Sequence, residues 1–218
     1  MSDGQTAISD RVKWYFFGIM GLCVLLVAWI DERFWFDPAD PHWKRVAPVM
    51  ALLALHGLFG LTALAAGAIQ MSSRIRRERP EFHRALGKVY IGAVCIAAPI
   101  AIYLGTSTLE PRSIRIEQIF QGGLWLLSAL VAWACIRSGQ MALHKVWMMR
   151  SYGFTLIFIL SRVPDAFVTS YSDQVLSDLL WGLVVVALIA PEVIITAQTL
   201  VRISMAKARA QRLAASPS

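Results

Sequence analysis

The stretch VAPVMALLALHGLFGLTALAAGAI, residues 46–69, runs for 24 residues with a single ionisable side chain, His56. As a helix rising about 1.5 Å per residue it reaches about 36 Å, more than the roughly 30 Å thickness of a hydrocarbon core. Its apolar residues are near-continuous rather than alternating, which suits a membrane helix and not a barrel strand. Five more stretches of the same kind flank it, at residues 14–30, 86–104, 119–136, 146–161 and 179–200. The sequence therefore predicts an all-α integral membrane protein with six transmembrane helices in one bundle.

Composition supports that reading. The 218 residues are 57% hydrophobic and only 16% charged, with mean hydropathy +0.57, too little polar surface to coat a water-soluble globule. No glycine- or serine-rich linker divides the chain. One domain is expected over residues 14–201, between an N-terminal tail at 1–13 and a basic tail at 202–218 that ends Ala-Ala-Ser-Pro-Ser and is expected to fray.

A net charge of +7 could signal a nucleic-acid partner, so the positions of the bases decide the matter. Fifteen of the 21 Lys and Arg residues fall in the N-terminus, the second and fourth connections and the C-terminus, counting Lys88 and Arg150 just inside the spans that follow those connections; the other six fall in the first, third and fifth connections. By the positive-inside rule this places both termini in the cytoplasm. Topology thus accounts for the basic excess: the expected partner is the lipid bilayer and not nucleic acid, and the expected location is the inner membrane of the cell, crossed several times. Nine acids, Asp31, Glu32, Asp37, Asp40, Glu110, Glu117, Asp165, Asp173 and Asp178, are assigned to the outward connections. The sequence is silent on oligomeric state.

The first span follows Arg11 and Lys13 as a signal peptide would, but Ala28-Trp29-Ile30 lacks the small-x-small cleavage pattern, so an uncleaved anchor is expected. Cys23, Cys95 and Cys135 lie in spans without CxxC spacing and read as small hydrophobes. Trp14, Trp35, Trp43 and Trp181 mark span ends, where an indole prefers the headgroup level. In the second span His56, Gly60, Ala63, Gly67 and Gln70 share one helical face. Such a smooth face either packs closely on a neighbouring helix or offers a flat surface to a planar cofactor.

Two short segments echo each other. His83-Arg84-Ala85-Leu86-Gly87-Lys88-Val89-Tyr90 opens the third span, and His144-Lys145-Val146-Trp147-Met148-Met149-Arg150-Ser151-Tyr152 opens the fifth. If they descend from a duplicated hairpin, the two histidines stand at equal depth on different helices.

These segments, with the second-span residues His56, Gly60, Gly67 and Gln70, resemble the bacterial family of predicted membrane proteins called domain of unknown function 2306. The carrying motifs are His-Arg-x-x-Gly-x-x-Tyr at His83, Arg84, Gly87 and Tyr90, and His-x-x-Trp-Met-x-Arg-Ser-Tyr at His144, Trp147, Met148, Arg150, Ser151 and Tyr152. Arg162 also looks like a family position. The resemblance covers residues 46–165 and implies a polytopic bacterial protein; it transfers no activity.

Function must then come from the residues themselves. An ionisable group at mid-membrane costs about 2.5–3.5 kcal/mol on insertion scales, so each one needs a reason. Glu192 lies in the sixth span beside Pro191, and Arg150, about 9 Å along its helix from His144, would neutralise it. His83 and His144 supply the minimum geometry for two axial ligands to one haem b iron in a helical bundle. Arg84, Lys88 and Arg150 could meet haem propionates, with Tyr90 and Trp147 against the ring. His56 is a candidate ligand for a second, outer site, where its only partner would be His42 in a connection. Quinone fits between spans near Glu192 and a histidine without being indicated. The competing reading is non-redox: a small transporter, sensor or assembly factor in which Glu192 and Arg150 hold a solute, a proton or an anionic lipid head group. No catalytic residue is assigned, since no Ser/His/Asp order, phosphate-binding glycine loop or HExxH pattern is present.

Overall fold

The computed structural model describes residues 15, 18–27, 29, 37, 39, 41–107, 111–167 and 172–214. Among these the chain is helical throughout its regular structure: α1 (Gly18–Val27), α2 (Pro41–Val46), α3 (Met50–Gln70), α4 (Ser73–Glu78), α5 (Pro80–Ser107), α6 (Arg112–Arg137), α7 (Met141–Leu160) and α8 (Asp173–Ala214). Short 3-10 turns at Ala47–Val49 and Val163–Ala166 lead into α3 and out of α7. The tail at 1–13, Trp14 and Trp35 lie outside the described residues, as does the side chain of His42.

Local chemistry sets the helix limits. The Ser72 hydroxyl accepts from the Ile75 N–H at 3.3 Å and starts α4. Pro80 opens α5 at a position where no intrahelical N–H is needed. Gly139, at φ 73°, ends α6 in the left-handed conformation that a side chain disfavours, and Gln140 N–H closes on the Cys135 carbonyl at 2.9 Å.

Helices α3, α5, α6 and α7 form a ring: α3 packs on α5, α5 on α6, α6 on α7, and α7 back on α3. Helices α5 and α7 therefore stand on a diagonal. Helix α8 docks outside the ring against α7 and α6. Small residues bring the backbones together. A Cβ on Gly122 would meet Ile102 at 2.9 Å, and one on Gly153 would meet the Ala187 carbonyl at 3.1 Å.

Four of the described helices are long and apolar enough to cross a membrane: Ala47–Gln70, Pro80–Thr106, Arg112–Arg137 and Asp173–Ala208. Helix α7 has 20 residues, enough for a crossing, but carries His144, Lys145 and Arg150. It lies between α3, α6 and α8, which leave His144 and Arg150 part-buried and Lys145 exposed. Side chains such as Leu58, Ile96, Leu127, Val186 and Ile189 face outward, while Ser128, Ser151 and Thr155 are buried. That inversion is the arrangement a lipid solvent selects.

Boundaries differ from the sequence expectation in one instructive place. Helix α6 begins at Arg112 rather than at residue 119, so Glu117, assigned above to a connection, lies inside the helix and is 0% exposed. Its apolar periodicity with Ile114, Trp125 and Ala132 overrides the charge of one residue.

Candidate functional site

The centre of the ring is a closed hydroxyl network. The Tyr90 hydroxyl on α5 crosses the diagonal to Ser151 Oγ at 2.8 Å and Thr155 Oγ1 at 2.9 Å, both on α7. Trp125 Nε1–H on α6 donates to Thr155 Oγ1 at 3.0 Å, and Tyr152 Oη–H donates to the Leu64 carbonyl of α3 at 3.3 Å. All four helices of the ring are thereby tied at one level. Gly67 makes room for it: a Cβ there would lie 2.4 Å from Tyr152 Cδ2 and 3.1 Å from Tyr90 Cε2.

This layer sets the depth of everything else. His83 precedes Tyr90 by seven residues and His144 precedes Ser151 by seven, so each imidazole stands about 10 Å along its helix from the same hydrogen-bonded pair. The two histidines are at equal depth on the diagonal helices. His144 Nδ1–H donates to the Ala132 carbonyl of α6 at 2.9 Å, which leaves Nε2 as the ring's remaining ligating atom. His83 Nδ1 is buried without a partner, and the His83 carbonyl accepts from Gln70 Nε2 of α3.

On the outside of the ring, at the level of the hydroxyl layer, Arg150 Nε donates to Glu192 Oε1 at 2.6 Å, joining α7 to α8, and its guanidinium lies 4.5 Å from the centre of the Trp147 ring. Glu192 is half exposed. The pairing expected between these two residues is present. Arg84 and Lys88 point outward on α5. Tyr90 is committed to the hydroxyl network and Trp147 to Arg150, so neither ring stands beside both imidazoles. At the same end a cleft of about 250 Å³ is lined by Arg74, Ile75, Glu78, Arg79 and Phe82.

The chain within residues 53–199 matches the family model described as a predicted membrane protein, domain of unknown function 2306. The chain belongs to that family. No curated protein and no solved structure matches it. The family region is wider than the motifs read from the sequence: it extends past Arg162 to include Glu192 and most of α8. The protein is membrane-embedded, as this membership and its apolar helices require.

His56 occupies the other end of the ring. Its Nδ1–H donates to the Ala97 carbonyl at 3.0 Å, two residues before Pro99, and its ring meets Phe158 edge-on at 5.8 Å. The smooth face below it is filled by Phe158 against Gly60 and by Tyr152 and Tyr90 against Gly67. That face packs helices. Among the described residues no group of three or more His, Cys, Asp or Glu side chains is placed to hold a metal, and no haem-binding site is formed.

Sequence reasoning missed Ser151, Thr155 and Trp125 as one network, and it missed Glu117. Neither Glu117 oxygen has a hydrogen-bond partner. The signal available was the spacing of Ile114, Glu117, Trp125, Ser128 and Ala132 along one face, which marks Glu117 as facing the bundle.

Proposed function

We propose that this family member is a haem b membrane protein that passes electrons, in which His83 and His144 would be drawn together to hold the iron only as the group binds. One observation carries the reading: two imidazoles at equal depth on the diagonal helices of a four-helix ring, one of them oriented by a backbone carbonyl. Such a carbonyl bond fixes ring orientation and tautomer in metal-ligating histidines. Haem, when bound, supplies one-electron redox chemistry. This chain's contribution would be to hold the iron through the two imidazoles, and Arg84, Lys88 and Arg150, which here face outward or bond Glu192, would turn to meet its carboxylates. Six crossings of a bacterial inner membrane with both termini in the cytoplasm belong to the same proposal, and put the histidine end on the inner side, where quinone could approach between helices. Purification in mild detergent after haem-supplemented expression tests it. A Soret band with sharp α and β bands on reduction, lost in His83→Ala and in His144→Ala, is the expected result; a colourless protein overturns it.

A second reading rests on the Arg150–Glu192 pair, a charge-assisted bond with its carboxylate half exposed. In this reading the protein is a non-redox transporter, sensor or assembly factor, and the pair opens to take a solute, a proton or an anionic lipid head group. Binding of anionic over zwitterionic vesicle lipid, abolished by Arg150→Leu in a colourless protein, supports it.

A further inference from the structure

At the end of the ring opposite the two histidines, the geometry points to a proton-binding site: Glu117 is a carboxylic acid in this closed state, loaded from the surface through the hydroxyls of Ser113 and Ser177. Glu117 lies about 12 Å along α6 from Trp125 and the hydroxyl network. It is 0% exposed, and both of its oxygens are buried without a partner. A carboxylate held so, cut off from bulk solvent in a helix that crosses lipid and bonded to no counter-charge, is costly; one proton removes the charge.

The surrounding groups are few. Among the described residues the facing end of α5 carries one titratable group, the exposed Tyr103. Helix α8 brings the exposed Asp173 and Asp178, and Arg162 stands in the turn after α7. On α6 itself Arg115 is two residues away and on a different face, with its own Nε buried and unpartnered.

Ser113 is one turn from Glu117 on the same side of α6 and is exposed. Its hydroxyl pairs with the buried Ser177 hydroxyl of α8 at 2.5 Å and accepts from Trp181 Nε1–H at 3.3 Å. A hydroxyl both donates and accepts, so this pair can hand a proton inward when the Glu117 carboxyl, which is not bonded to it here, swings to Ser113. The step is a proton transfer from hydronium in the surface water: one O–H bond of the hydronium breaks and leaves water, one O–H bond forms on the Glu117 carboxylate, and the bundle loses one negative charge.

The site is independent of haem, and its test needs no redox readout. Infrared spectra of the purified protein in lipid nanodiscs at neutral pH, where exposed carboxyls are ionised, should show a carboxylic C=O band that Glu117→Gln removes. The Ser113→Ala/Ser177→Ala variant should keep the band and slow its shift in heavy water at least several-fold. A carboxylate band removed instead by Glu117→Gln, or a band that sodium displaces, overturns the proposal; an unchanged exchange rate in the serine variant overturns the route. If Glu117→Gln yields no protein, the wild-type band decides: its absence at neutral pH overturns the site and its presence supports it.

Discussion

Two buried polar regions share the interior of this bundle and differ in one respect. In the Tyr90–Ser151–Thr155–Trp125 layer every hydroxyl and the indole N–H has a partner. At Glu117, about 12 Å away, neither oxygen has one. A fully satisfied network specifies how helices meet and is stiff, whereas an orphaned acid stores a cost that only a change of charge or of conformation relieves. The first region is architecture. The second is where the molecule can respond.

The largest effect should come from the closest approach in the satisfied layer. Gly67→Ala drives a methyl group into the Tyr152 ring, and either that ring, held by its bond to the Leu64 carbonyl, or α3 must shift. A loss of about 3 kcal/mol is expected, at the upper end for overpacking, read from unfolding in mixed detergent. Retained stability would show that the layer yields more than its geometry implies.

Removing one hydroxyl from the same layer comes next. Tyr90→Phe leaves Ser151 and Thr155 each short of a partner and should cost about 1–3 kcal/mol. Glu117→Gln, by contrast, should leave stability about unchanged, since it keeps the shape and exchanges one neutral, unpartnered polar group for another. If the two substitutions cost the same, the distinction between the regions fails.

The ion pair at the surface of the ring should matter less. Arg150 and Glu192 are both partly exposed, so solvent screening limits the pair to about 0–1 kcal/mol. Glu192→Gln should cost less than Arg150→Leu, because Arg150 keeps its contact with Trp147 when the carboxylate is gone, while Glu192 would be left unpaired. Melting curves of both variants check the order.

The smallest effect belongs to α4. A hydrogen bond from Arg74 holds the exposed Glu78 carboxyl below its ordinary range. The sign follows: the helix gains from this pair above the ordinary carboxylate pKa and loses the gain as pH falls through the lowered value. Amide hydrogen exchange in α4, corrected for the intrinsic rate at each pH, should show protection falling in acid, and Glu78→Gln should flatten that dependence.

Much of this was legible beforehand, for definite reasons. Long apolar runs announce membrane helices because lipid leaves a backbone few alternatives. The Arg150–Glu192 pair could be inferred because two lone charges in apolar helices need each other. The small-residue face of α3 was legible as a face, yet its use was not: only the rings of Phe158, Tyr152 and Tyr90 lying against it decide for packing. Glu117 was read as a connection residue because hydropathy windows weigh a charge by identity and not by surroundings.

By itself the sequence determined the class of solvent and the family, since both follow from composition and from short motifs along the chain. Only the tertiary structure decided that α5 and α7 oppose each other on a diagonal, that their histidines share a depth, and that Glu117 lies buried without a partner. The physical reason is that a helix presents its side chains around a full circle. Which arc meets a neighbour depends on every other helix in the ring.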